Sequence, residues 1–164
     1  MPGPVPKPTK FYAFFKPGAR DAAGSAALFS IKEDLRLPAK SVRTADAYSV
    51  SGIVLSSAER QKLAKFMFSD SVVQDYSIDK PPFSKKDGGW LLEVGFKPGV
   101  TDNVGLTSLI GMADVLGRRL PQGTAVRTSI QYCVKGPLSK LQAEKICSGL
   151  LANPVIQDYS VKKL

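Results

Sequence analysis

The chain has 164 residues, of which 43% are hydrophobic and 23% are charged, and this composition excludes a disordered or fibrous protein. Its formal net charge of +9 could serve an anionic partner, but no basic run exceeds two residues, which favours ordinary surface lysines and arginines. Histidine is absent from the sequence, and this removes the commonest general base, the usual serine or cysteine triad and most zinc sites.

The start of the sequence and its cysteines indicate the compartment. The first ten residues contain four prolines and no apolar core, so they do not form a signal peptide. No apolar stretch approaches the roughly 20 residues of a membrane helix. Cys133 and Cys147 have neither metal-ligand spacing nor a disulfide pattern. We therefore expect a cytoplasmic protein with reduced thiols.

The sequence contains an internal duplication. Four blocks of the first half recur in the same order in the second: 15–21 as 96–102, 42–44 as 126–128, Tyr48 as Tyr132, and 73–77 as 156–160. Because chance does not produce four matched blocks in order, we predict two copies of one unit, at 9–80 and 89–163. The polar segment 81–88, with its prolines and glycines, is then a linker, and residues 1–8 are expected to be disordered.

Each copy begins, continues and ends with a strand pattern. The segments predicted as strands are 10–15, 41–50 and 72–78 in the first copy, and 90–96, 125–134 and 155–161 in the second. The first strand of each copy stops at a Lys-Pro-Gly turn. The middle segments alternate enough to form either one extended strand or a strand pair.

Two helices are predicted between these strands in each copy. Asp21 and Asp102 lie where an N-cap would accept the free amides of the first helix, and either Ser56 or Ser57, and Ser139, can cap the second. The residues predicted for the inner faces are Leu28, Ile31, Leu35, Leu63, Phe66 and Met67 in the first copy, and Leu106, Leu109, Ile110, Ala113, Leu116, Ala143, Ile146, Cys147, Leu150 and Leu151 in the second.

This order of elements predicts an α+β fold. Helices over one face of a mostly antiparallel sheet form a two-layer sandwich, and each copy resembles a ferredoxin-like unit. A unit of about 75 residues buries little surface alone. We therefore expect the two copies to be related by a rotation of about 180° and to share one continuous sheet or a common helix layer, with the linker running across the surface.

Several side chains that occur twice are candidates for contacts with partners. They are Arg43, Arg127, Asp75, Asp158, Tyr76 and Tyr159. The arginines are either solvated or ion-paired, or they contact a partner or a phosphate. The aspartates lie within a predicted strand, where a partner contact or a cross-strand ion pair is expected rather than catalysis. The tyrosines are expected to pack with a polar tip. We predict no catalytic residue, no metal site and no cofactor.

The repeated blocks together resemble PurS, the small subunit of phosphoribosylformylglycinamidine synthase, over nearly the whole of both copies. The resemblance is carried by Lys-Pro-Gly-Val-Thr-Asp-Asn-Val-Gly at 97–105, Val-Arg-Thr at 126–128 and Leu-Leu-Ala-Asn-Pro-Val-Ile-Gln-Asp-Tyr at 150–159. Residues 68–76 are a weaker form of the last block.

This resemblance implies a scaffold without catalytic activity of its own. PurS forms a dimer that bridges the synthetase and glutaminase parts of this ATP- and glutamine-dependent ligase of purine biosynthesis. In the single-chain enzyme an N-terminal domain with two PurS-like halves replaces that dimer. The tandem is thus expected to be a pseudo-dimer whose partners are the synthetase and glutaminase components, and self-association stays open.

The alternative function is nucleic-acid binding by a basic α+β module. Ferredoxin-like sheets bind RNA through exposed aromatic residues, and the first strand contains Phe11, Tyr12, Phe14 and Phe15. These residues lack a Lys/Arg-Gly-Phe type of signature. Nucleic acid is therefore not the expected partner.

Overall fold

The structure is a computed structural model that describes residues 4–164. Part of the predicted disordered segment, residues 1–3, lies outside the described residues, and residues 4–8 precede the first strand. The first repeat comprises β1 (Thr9–Phe15), α1 (Ala22–Glu33), β2 (Ser41–Ser51), α2 (Ser57–Leu63) and β3 (Gln74–Ile78). The second comprises β4 (Trp90–Phe96), α3 (Asn103–Leu116), β5 (Ala125–Lys135), α4 (Lys140–Ile146) and β6 (Gln157–Lys163). Each middle segment is thus one strand.

The second helix of each repeat ends in a turn of π-helix. These turns are Ala64–Phe68 after α2 and Cys147–Leu151 after α4. Ser56 and Ser139 cap the two helices, each in a reciprocal capping box with the residue three positions later. The prediction of Ser139 is thus confirmed, and of the two candidates Ser56 and Ser57 the cap is Ser56. No helix within residues 4–164 combines the length and the apolar character needed to cross a bilayer.

All six strands form one antiparallel sheet in the order β3-β1-β2-β5-β4-β6. The two repeats meet where β2 pairs with β5, from Ser41 opposite Lys135 to Ser51 opposite Ala125. At the middle of this pairing Asp46 lies opposite Ile130, which is its own counterpart in the second repeat. A local two-fold axis therefore passes between these two residues, and the prediction of one continuous α+β sheet is confirmed.

The helices cover one face of the sheet, and each half of the core draws on both repeats. Ile31 of α1 and Ile146 of α4 are fully buried in one cluster. Leu63 of α2 and Met112 of α3 are fully buried in the other. Complete burial of such side chains contributes roughly 1.5–3 kcal/mol each. Because each first helix packs beside the second helix of the other repeat, neither repeat has a complete core of its own.

A polar clamp holds the start of each first helix against the sheet. Asp21 caps α1 by accepting from Gly24 N at 2.7 Å, and it also accepts from Thr44 N on β2 at 2.7 Å. A Cβ at Gly24 would lie 2.7 Å from the carbonyl oxygen of Val42, so glycine lets the helix approach the strand. The recurring sequence blocks that contain Asp21, Gly24 and residues 42–44 are thus in contact with one another and together form this clamp.

Three of the predicted inner-face residues are exposed instead. Leu106 and Ile110 point to solvent from α3, Ile110 with 71% of its surface accessible, while Met112 is buried. In α3 the clamp is formed by Asp102, which accepts from Gly105 N and from Thr128 N. It fixes the rotation of α3 about its axis, because it holds Gly105 against the carbonyl oxygen of Val126. Phe66 is 68% exposed because the π-turn rotates the residues after α2 away from ideal α-helical spacing.

The final strands begin two residues later than predicted. Asp70 accepts from Val72 N at 2.9 Å, and Asn153 accepts from Val155 N at 3.0 Å, so a side-chain turn precedes each strand. In both repeats the glutamine that opens the strand accepts from the backbone amide of this Asp or Asn.

The linker crosses the face of the sheet that carries no helix, which we call the helix-free face. Phe83 is only 3% exposed and packs against Ala45 of β2 and Cys133 of β5. The segment 81–88 was predicted to run across the surface, and here it lies on the sheet and contributes the buried side chain of Phe83.

Candidate partner-binding face

The six predicted interface residues lie on two different faces. Side chains alternate along a strand, and Val42 and Thr44 point toward the helices, so Arg43 lies on the helix-free face. By the same alternation the remaining charged candidates, Arg127, Asp75 and Asp158, share the helix-free face, while Tyr76 and Tyr159 lie on the helix side of the outermost strands β3 and β6. The structure thus brings the four charged residues to one face and leaves the tyrosines on the other.

Arg43 contacts the linker. Its Nη1 lies 3.2 Å from Oδ1 of Asp87, and its guanidinium lies 5.1 Å from the centre of the Phe83 ring. The pKa of Asp87 is lowered, first by the backbone amide of Ser84 and then by Arg43 and Lys135. Arg43 therefore helps hold the linker on the sheet, with about half of its side chain still accessible.

Arg127 has a different environment although it occupies the same place in its repeat. Its Nη2 donates to the carbonyl oxygens of Phe96 at 2.9 Å and Lys97 at 3.2 Å. It thereby stabilises the turn after β4, and it remains exposed. The two arginines are equivalent in sequence but not in their contacts.

Asp75 and Asp158 lie on the two edge strands. Asp75 is opposite Phe14 and Asp158 is opposite Gly95, and both carboxylates are exposed. Neither forms an ion pair within residues 4–164. Both charges are therefore accessible to a partner.

A polar cluster on the helix-free face of the second repeat was missed by the sequence analysis. Glu93 accepts from Ser129 Oγ at 2.6 Å and from Gln131 Nε2 at 3.1 Å. Gln131 is only 3% exposed, and its Oε1 has no hydrogen-bond partner within the described residues. A comparison of the two copies would have revealed this cluster, because its polar residues replace less polar ones. The corresponding residues of the first repeat are Tyr12, Ala45 and Ala47.

Tyr76 and Tyr159 differ as well. The hydroxyl of Tyr76 donates to Gln61 Oε1 of α2 at 2.8 Å, so this ring joins β3 to the helix layer. Tyr159 is more exposed and packs beside Val94 across the β4–β6 pairing. Residues 4–164 contain no cluster of acidic and thiol side chains that could hold a metal ion.

The chain resembles known proteins at the level of solved structures. No family model matches the chain, and no curated protein matches it. Among solved structures, PurS from Thermus thermophilus in a P21 crystal form is similar, with 28% sequence identity and a TM-score of 0.32. That similarity covers 46% of this chain and 94% of the Thermus chain.

Proposed function

We propose that the chain is a non-catalytic bridging element of a phosphoribosylformylglycinamidine synthase, the ligase that makes a purine precursor. Its proposed partners are the synthetase and glutaminase components, and its proposed location is the cytoplasm. The proposal rests on the repeated blocks that resemble PurS and on one structural observation. The two repeats form a single sheet across a local two-fold axis, and the first helix of each repeat packs beside the second helix of the other. This is the architecture expected of a dimer joined into one chain.

The two halves of the helix-free face differ, and this supports contacts with two different partners. The linker buries Phe83 between Ala45 of the first repeat and Cys133 of the second, and its Asp87 pairs with Arg43 of the first repeat alone. Away from the linker, the second repeat carries an open groove lined by Glu93, Ser129 and Asp158. A symmetric dimer would present one surface twice, whereas this chain presents two surfaces that different proteins can recognise.

The experiment is reconstitution of the synthase with and without this chain. We expect turnover with glutamine to depend on the chain and turnover with free ammonia to depend on it much less. A bridge keeps two active sites in one assembly, so its loss impairs transfer between the sites before it impairs the chemistry of either site. Equal turnover with glutamine in the presence and absence of the chain would refute the proposal.

The paired arginines provide the residue-level test. Replacing an interfacial arginine by alanine can cost about 2 kcal/mol or more, so Arg43→Ala/Arg127→Ala should weaken assembly at least about tenfold. The control is Arg36→Ala/Arg119→Ala, which removes the same charge from two exposed sites away from the sheet. Because Arg43 and Arg127 also make contacts within the chain, thermal unfolding of each variant is measured first. Assembly as strong as that of the control would exclude the arginines from the interface.

The nucleic-acid alternative loses its support in the structure. Phe11 is fully buried and Tyr12 nearly so, which leaves neither ring free to stack on a base. Phe14 and Phe15 are only half-buried, but no other observation favours this function.

A further inference from the structure

A cavity of about 230 Å³ opens on the helix side of the second repeat. Its floor is formed by β4 and β5, next to the local two-fold axis, and Val104 of α3 and Leu151 of the π-turn after α4 flank it. The volume lies below the roughly 300–1,000 Å³ typical of sites for drug-sized ligands. It is suited to a smaller molecule.

The corresponding place in the first repeat is filled by an aromatic ring. Phe68 stacks on Tyr48 with ring centres 4.4 Å apart and lies 4.8 Å from the ring of Phe11. The counterpart of Phe68 in the second repeat is Leu151, and the counterpart of Tyr48 is Tyr132. Leucine is shorter than phenylalanine and leaves space beside Tyr132. The counterpart of Phe11 is Leu92, so leucines replace two of the three rings, and Leu151 is the one that lines the opening.

The lining of the cavity has the composition of a site for an organic cation. Among the lining residues, Asp46 is the only charged one. Aromatic rings come from Phe96, Tyr48 and Tyr132, and further polar atoms come from Gln157. Aromatic faces attract ammonium groups, and a carboxylate with little water around it does so more strongly than a solvated one.

Asp46 is held at a place where its charge is not neutralised by a basic residue of the cavity. Burial raises the pKa of Asp46, the carboxylate of Asp21 raises it further, and the side chain of Gln74 opposes the rise. No salt bridge to Asp46 occurs within residues 4–164. A cation in the cavity would supply the missing counter-charge.

We infer that this cavity binds a small organic cation, with its ammonium group at Asp46 and its apolar body against Val94, Ile130 and Leu151. This inference does not depend on the proposed bridging function. It assigns a ligand to a site that lies on the opposite side of the sheet from the candidate partner-binding face.

The test uses benzylamine as the probe and benzyl alcohol as its neutral analogue of matched shape. Both are titrated into the ¹⁵N-labelled full chain and followed by amide chemical shifts. We expect saturable shifts around residues 128–132 and 94–96 for benzylamine, with at least about tenfold weaker binding of benzyl alcohol, because a hydrogen bond to a charged group contributes about 1.5–3 kcal/mol. Equal binding of both probes, or no saturable shift with benzylamine, would overturn the inference.

Two variants locate the site. Asp46→Asn keeps the shape and removes the charge, and it should weaken benzylamine binding at least about tenfold. Leu151→Phe places in the second repeat the ring that fills the first, and it should abolish binding. The control, Asp34→Asn, removes the same charge from an exposed position after α1. If Leu151→Phe does not fold, Asp46→Asn decides, and binding equal to that of Asp34→Asn would refute the site.

Discussion

The clamp at the start of α3 allows a quantitative prediction about stability. Asp102 is 8% exposed and accepts from Gly105 N at 2.8 Å, from Thr128 N at 2.6 Å and from Thr128 Oγ1 at 3.0 Å. One carboxylate therefore accepts hydrogen bonds both from the first turn of α3 and from a residue of the central strand β5. Asp102→Ala leaves these three donors without their partner.

The expected loss follows from these bonds. Removal of an N-cap costs about 0.5–2 kcal/mol, and the loss of hydrogen bonds from Thr128 to a charged acceptor adds about 1.5–3 kcal/mol. We expect Asp102→Ala to lower the free energy of unfolding by about 3–4 kcal/mol, which is a large share of the roughly 5–15 kcal/mol of a typical domain. At about 2–4 °C per kcal/mol the melting temperature should fall by roughly 6–16 °C.

The assay is urea unfolding followed by far-ultraviolet circular dichroism and by the fluorescence of Trp90, the single tryptophan. Asp21→Ala should lose less, because Asp21 is more exposed than Asp102. The control Asp114→Ala changes an exposed aspartate of the same helix α3 and should stay within about 0.5 kcal/mol. If Asp102→Ala is no less stable than Asp114→Ala, the clamp does not stabilise the fold as argued.

Two further predictions concern the linker and one ion pair between the repeats. Phe83→Ala should expose Cys133 and speed its labelling by a thiol reagent, while Cys147, whose pKa burial raises to about 12, stays unreactive in the folded chain; equal acceleration at both cysteines would mean global opening instead. The hydrogen bond from Arg118 is the main cause that lowers the pKa of Glu59 from 4.5 to about 2. The carboxylate therefore stabilises the fold above pH 4.5, and this contribution is lost as the pH falls toward 2. Glu59→Gln should remove that part of the acid dependence of unfolding, and an unchanged acid profile would contradict the assignment.

Local signals in the sequence predicted the elements of the fold, and long-range contacts decided what those signals left open. Strand patterns, turn residues and caps act within a few residues, so the positions of the strands and of the capping serines were predictable. Helical periodicity predicts that α3 has an inner face, but it does not determine which half of the sheet that face contacts. Its rotation depends on the approach of Gly105 to Val126, and Ile110 was misplaced for that reason. A comparison of the repeats would have corrected the placement of Phe66 on the inner face. Its counterpart is Gly149, which has no side chain to bury.

The candidate site shows the same limit more strongly. Arg43 and Arg127 occupy identical Val-Arg-Thr blocks, and sequence reasoning therefore treated them alike. The linker exists once, however, and it supplies Asp87 and Phe83 to Arg43 alone. Equivalent residues of a duplicated chain can be predicted to share a strand and a face, but their contacts depend on segments that were not duplicated.

The presence of both halves of the sheet in one chain also explains how a lone acid can lie beside the two-fold axis. In a dimer of identical chains, a residue at this position would face its own copy across β2 and β5, and two aspartates directly opposite would repel each other. In this chain Asp46 faces Ile130, so the repulsion is absent and a single negative charge remains at the axis. The counterparts Phe68 and Leu151 also differ between the repeats. As a result, a filled core lies on one side of the axis and an open cavity lies on the other. A homodimer could carry two such charges or none, and two cavities or none, whereas the tandem chain can carry one of each.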